Sequence, residues 1–127
     1  MTYWNALKPD NREMWKPVDG LEEMAEELTL SIDESTGECT RLTRFLPGAD
    51  TTAFGGKPHP YPEEVFVVVG RIHDEAFGLW LEAGHYASRP PGDLHGTFKT
   101  DIGCVVLDVS FPNRAHTSAH AAGRPST

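Results

Sequence analysis

The sequence is poor in what several common function classes need. It has two cysteines, Cys39 and Cys104, in 127 residues, with no C-x-x-C spacing. That excludes a disulfide scaffold and a cysteine-rich zinc module, and it points to a reduced, cytoplasmic protein. No run of about 18 apolar residues is present, so no membrane-spanning helix is expected. The first residues, MTYWNALKPDNREMW, have neither the apolar stretch nor the cleavage pattern of a secretory signal. Positive charge is scarce: 11 Lys and Arg stand against 19 Asp and Glu, a net charge of −8. The one modest basic cluster, Arg41 with Arg44, is too small to neutralise a phosphate backbone, so nucleic acid is excluded as the main partner. G-x-S-x-G, P-loop and dinucleotide fingerprints are all missing, and Gly55-Gly56 is a lone loop pair that carries no phosphate argument.

What is there reads as one strand-rich domain. Residues 1–27 mix Tyr3, Trp4 and Trp15 with prolines and charge, and read as an arm with at most one strand, its tryptophans packing on the body or on a neighbouring subunit. Within it LEEMAEEL (21–28) is a short helix by propensity or the approach to a strand. LTLSI (28–32) and CTRLTRF (39–45) alternate apolar and polar residues around the turn cluster DESTGE, the pattern of a β-hairpin. EVFVVVG (64–70) is the strongest strand, GRIHDEAFG reads as a turn, ASRPPGDLHG (87–96) as a loop, and GCVVLDVSF (103–111) as a second strong strand. Residues 112–127 are small, polar and aperiodic, and read as a flexible tail. Short strands with turn signals every 8–12 residues predict an all-β barrel or sandwich over residues 28–111.

The chemistry concentrates in Lys57-Pro58-His59-Pro60-Tyr61-Pro62-Glu63. Three alternating prolines forbid a helix and push the residues before them into extended conformations. In an extended chain a lysine, an imidazole, a phenol and a carboxylate then share one face. A second candidate follows a turn in Pro90-Pro91-Gly92-Asp93-Leu94-His95. One histidine from each segment plus one carboxylate is the inventory of a facial metal triad, although a surface histidine and a surface glutamate would read the same.

Together these segments resemble the cupin family. His59, Glu63 and Gly70 match the second histidine, the glutamate and the glycine of the first cupin motif, H-x-H-x3-E-x6-G, with Lys57 where the first histidine stands. Gly84, Pro90, Gly92 and His95 match the second motif, G-x5-P-x-G-x2-H-x3-N, with Lys99 in place of the asparagine. The surrounding text is most similar to the ChrR-like branch of cupins. The resemblance implies a small antiparallel β-barrel (a double-stranded β-helix or jelly roll), a homodimer, and a metal inside the barrel mouth held by His59, Glu63 and His95. Two histidines and one glutamate leave open positions on an octahedral ion, the ligand set of non-haem Fe(II) oxygenases. Fe(II) is therefore the first choice, Zn(II) the next, and Mn(II) and Ni(II) are alternatives.

Lys57 and Tyr61 are the candidate catalytic groups: the ammonium to bind an anionic substrate, the phenol to hydrogen-bond a metal-bound ligand. Their bland alternatives are a lysine that reaches out to solvent and a tyrosine that packs at the rim. Val65, Val67 and Val69 share parity with Glu63 and are expected to line the interior, with Phe45, Trp80, Tyr86 and Phe98 as further wall. His73 reads as a solvated turn residue, His85 as a residue that could face the pocket, and His116 and His120 as exposed tail residues. Both cysteines read as buried, inert thiols. The function expected first is dioxygenase-type cleavage of a small carbonyl or aromatic substrate. A non-redox lyase, isomerase or cyclase, a non-catalytic sensor, and a cupin that has lost its metal are the alternatives.

Overall fold

The computed structural model describes residues 3–54, 57–92, 94–95 and 97–114, with the backbone alone at 57, 58, 94 and 95. Ten strands are present among them: β1 (Lys16–Pro17), β2 (Ala25–Ile32), β3 (Cys39–Phe45), β4 (Lys57–Pro58), β5 (Glu63–Asp74), β6 (Leu79–Glu82), β7 (Tyr86–Arg89), β8 (Leu94–His95), β9 (Phe98–Lys99) and β10 (Cys104–Ser110). Short 3-10 turns cover Pro9–Met14, Thr52–Phe54 and Pro112–Arg114. No described helix is long and apolar enough to cross a membrane.

Eight strands form one curled antiparallel sheet with the path β1-β2-β3-β10-β5-β6, to which β7 and β9 add by pairing with β5; β4 and β8 pair separately. The twelve-residue β5 is the spine. Its first half pairs with β10 and β7, and its end pairs with β6 and β9. Strand alternation sorts the side chains into two apolar layers. Val65, Val67, Ile72, Cys104 and Val106 pack inside the curl with Phe45, Leu81, Ala87 and Phe98. Trp15, Leu28, Leu42 and Val105 form the second layer, joined by Ala6, Leu30, Val68 and Leu107. Trp15 from the N-terminal arm thus packs on the body, with the Arg44 guanidinium 4.0 Å from its ring centroid.

The hairpin of β2 and β3 and the strands β5 and β10 lie where the hydrophobic alternation puts them. LEEMAEEL takes the second of its two readings, the approach to a strand: residues 22–24 are a turn, and β2 begins at Ala25, which pairs with Phe45 of β3. Two readings are corrected. GRIHDEAFG is not a turn until Asp74. β5 runs through it because Ile72 is a core residue and β6 and β9 pair there. Residues 87–89, read as loop, belong to β7.

Val69 is a further correction. The register between β10 and β5 shifts between Val105 and Val106, which leaves Val68 as an extra residue on β5. Such a bulge reverses the parity beyond it. Val65 and Val67 face inward, Val69 is 49% exposed, and Ile72 takes the next inward place. Gly70 follows the bulge with φ +79°, in a position where a Cβ would lie 2.0 Å from the Gly103 carbonyl oxygen.

Candidate active site

The two sequence motifs meet at the end of the barrel where β5 begins. The Gly92 N–H donates to the His59 carbonyl at 2.7 Å. In the β4–β8 ladder Lys57 is the cross-strand partner of His95. The backbone therefore carries the second-motif histidine to the first motif, two residues from His59. The side chains of Lys57 and His95 lie outside the described residues, as do Gly55-Gly56, Asp93, and the tail histidines His116 and His120.

His59 is half-buried, and its ring stacks on Tyr61 with centroids 4.9 Å apart and planes at 17°. Burial, and next the negative charge of Glu63, push the Tyr61 phenol above its ordinary value. It is thus an O–H donor throughout the neutral range. Glu63 is 7% exposed. Its Oε1 accepts from Arg89 Nη1 at 3.2 Å, and Arg89 Nη2 also lies 3.9 Å from Asp74 Oδ2. The pair is a direct cross-strand contact, since Glu63 faces Arg89 in the β5–β7 register.

Below this row lies a cavity of about 120 Å³, lined by Arg41, Thr43, Phe45, Glu63, Val65, Ile72, Leu81, Arg89, Phe98, Val106 and Asp108. Its wall is apolar apart from two ion pairs. One is Glu63–Arg89. In the other, Asp108 Oδ1 accepts from Arg41 Nε at 3.1 Å and Asp108 Oδ2 from Thr43 Oγ1 at 3.2 Å. Arg41 also lies 3.6 Å from Glu27. Burial raises the Asp108 pKa, and Arg41 opposes the shift.

Phe45 and Phe98 line the cavity as the sequence suggests, whereas Trp80 and Tyr86 do not. Trp80 lies on the surface against His73 and under the Arg71 guanidinium. Tyr86 is on the outer face and donates to Glu64. His73 is not a turn residue: it lies in β5, half-buried, its Nδ1 3.3 Å from Glu75 Oε1. His85 is exposed and accepts from the Glu82 N–H at 2.8 Å, so it does not face the cavity. Cys104 is buried while Cys39 is half-buried. Arg41, Thr43, Arg89 and Asp108 were not singled out from sequence as site residues. For Arg41 and Thr43 a signal exists, because they share parity with Phe45 on an alternating strand.

The family model of the ChrR Cupin-like domain matches residues 7–119. The chain belongs to that cupin family. Its cupin fold is shared by an acetylacetone dioxygenase from Acinetobacter johnsonii (16% identity, TM-score 0.66, 87% of this chain and 74% of that one). KdgF from Halomonas sp. is also similar (20% identity, TM-score 0.65, 80% and 89%). So is an RmlC-like cupin from Shewanella frigidimarina NCIMB 400 (23% identity, TM-score 0.63, 80% and 87%). No curated protein matches the sequence significantly. At these identities the likeness speaks for the fold, and cupin barrels carry many chemistries.

Cupins generally bind a divalent metal ion. Among the described residues no three His, Cys, Asp or Glu side chains come together to hold one. Two of the three expected donors, His59 and Glu63, are described, and the third lies on β8. The donor set fits in kind: an imidazole and a carboxylate from the first motif, with the backbone of His95 paired to Lys57, two residues before His59. The Glu63–Arg89 pair is compatible with it. A carboxylate oxygen accepts more than one partner, and metal-ligating carboxylates are commonly held by a further hydrogen bond.

Proposed function

We propose that this cupin is a metal-dependent enzyme acting on a small organic molecule in the barrel cavity, with His59, Glu63 and His95 holding the ion. The observation that carries the reading is the junction of the two motifs: the Gly92 N–H on the His59 carbonyl, and the Lys57–His95 register. A divalent ion with three protein ligands supplies open positions that accept and polarise a substrate oxygen. The chain's own groups do the rest. Arg89 orients the Glu63 carboxylate. Phe45, Ile72, Leu81 and Phe98 take the hydrocarbon part of the substrate and exclude water. Tyr61 offers a protonated phenol beside His59, and Lys57, on β4, is the candidate cation for an anionic substrate.

Fe(II) and an oxygen-dependent cleavage are the first reading of metal and reaction. Zn(II), Mn(II) or Ni(II) with a non-redox lyase, isomerase or cyclase reaction is the second. A cytoplasmic homodimer completes the proposal, supported by the free thiols and by the exposed Phe66 and Tyr86 side chains on the outer sheet face. Gel filtration at the monomer mass would remove the dimer.

Metal analysis of protein purified without added metal or chelator tests the function. About one ion per chain is expected, lost in His59→Ala and His95→Ala. Iron leads to oxygen-uptake screens and zinc to lyase and cyclase screens. A second reading is a ligand-binding cupin without metal, in which Arg89 neutralises Glu63 in place of an ion, and protein that neither carries nor takes up metal would favour it over the first.

A further inference from the structure

Asp108 is the only charged residue of β10, a strand that reads CVVLDVS. It is 7% exposed and lines the cavity together with Arg41 and Thr43. It stands opposite Arg41 on one side and Val65 on the other, one inward place deeper than Glu63. A buried ion pair is often no more stabilising than apolar side chains of the same volume, so stability alone gives no reason for a charge here. The hydrogen bonds around it are matched unevenly. Arg41 Nε donates to Asp108 Oδ1, and Arg41 Nη2 lies 3.0 Å from that same oxygen. Asp108 Oδ2 receives only the Thr43 hydroxyl among the described residues. A carboxylate oxygen accepts about two hydrogen bonds, and Thr43 Oγ1, having given its one proton to Asp108, keeps acceptor capacity of its own. The polar side of the cavity thus has acceptor sites to fill, and what fills them must bring a proton.

We propose that the cavity binds a ring-sized hydroxyl compound, a phenol or a cyclic alcohol, whose O–H donates to Asp108 beside Thr43. The size follows from the walls. An apolar cavity of about 150 Å³ admits benzene, so about 120 Å³ takes a compact body of about six heavy atoms. Phe45, Ile72, Leu81 and Phe98 face that body, while Asp108 takes the hydroxyl. A carbonyl compound without an O–H leaves the Asp108 site unfilled. This rests on the proposed small-molecule role of the cavity, and not on the presence of the metal.

The test uses the full chain as purified and two probes of one shape, phenol and toluene, titrated by NMR. Contacts from the ring protons to the Ile72 and Leu81 methyls are expected to place both in the cavity. Toluene is the more apolar, so a cavity without an acceptor favours it; the wild type is expected to bind phenol at least as tightly. Asp108→Leu, close in size and without an acceptor, is expected to lower the phenol-to-toluene ratio by about ten- to a hundredfold, the size of a hydrogen bond to a charged group. Toluene binding is expected to stay as it was. Asp108→Asn, which keeps a neutral acceptor, is expected to give an intermediate loss, and Arg41 retains Glu27 in both variants. A wild type that prefers toluene overturns the proposal without any variant, as does failure of either probe to enter the cavity. A ratio unchanged in both variants also overturns it. The titrations are repeated after chelator treatment, with metal content measured. A phenol preference that vanishes with the metal and ignores Asp108 overturns this proposal and leaves the metal reading standing. An Asp108-dependent preference in metal-free protein supports it whatever becomes of the metal reading.

Discussion

Gly70 and Gly84 are the glycines of the two cupin motifs, and the structure gives them different physical reasons. Both have positive φ, +79° and +96°. A side chain in that region is strained by about 1–2 kcal/mol. At Gly84 nothing lies within 4 Å of where a Cβ would be, so Gly84→Ala should be destabilising by about that amount alone. At Gly70 the added methyl would lie 2.0 Å from the Gly103 oxygen and 2.8 Å from the Cys104 Cα. Those atoms are backbone, and they belong to the junction where Gly70 faces Cys104 and the Arg71 N–H donates to Gly103. β10 must move away from β5 beside the core residue Cys104, and overpacking of this kind adds about 1–3 kcal/mol. Gly70→Ala is therefore expected to be destabilising by about 2–5 kcal/mol, a large share of the 5–15 kcal/mol typical of a domain. Urea unfolding followed by tryptophan fluorescence, to which the buried Trp15 contributes, measures both variants. Equal losses in the two would refute the reasoning, because the difference rests on the close approach alone.

Three further outcomes follow from the same structure. Arg89→Ala leaves Glu63 and Asp74 buried without their shared cation, so it should be destabilising by about 3–5 kcal/mol. The Arg89→Met, Glu63→Gln double variant should recover part of that in denaturant melts, and no recovery would contradict the pairing. Burial pushes the Cys104 thiol up to about 11, which leaves about one thiolate in a thousand at pH 8. A thiol reagent should therefore modify Cys39 before Cys104 in the native protein and both in urea, and rapid native labelling of Cys104 would refute its burial. Hydrogen bonds from Arg71 hold the exposed Asp101 carboxyl at about 2 rather than 3.8. The unfolded chain then binds that proton first, so this pair's contribution is present above 3.8 and lost as pH falls toward 2. Asp101→Asn should flatten that part of the acid unfolding profile, and an unchanged profile would count against it.

Much of the fold was legible because the valines of β5 and the alternation of β3 report burial on a pleat. The bulge at Val68 was not, since an extra residue leaves the valine run unbroken in the sequence while reversing which face Val69 and Ile72 present. β7 was hidden by its length. Four residues before two prolines read as loop, although Arg89 becomes the cross-strand partner of Glu63, 26 residues away. Asp108 was hidden in an apolar strand: only the fold shows that it meets Arg41 and Thr43 from β3. The two motifs were legible through their spacing, and the fold joins them where the Gly92 N–H meets the His59 carbonyl. His73 and His85 were harder, because the parity of short strands depends on where each strand starts.

X-ray absorption at the edge of the bound metal tests the central claim most directly. The account predicts nitrogen and oxygen scatterers only, with two imidazoles among them. Sulfur in the coordination sphere, or an imidazole count other than two, would contradict it.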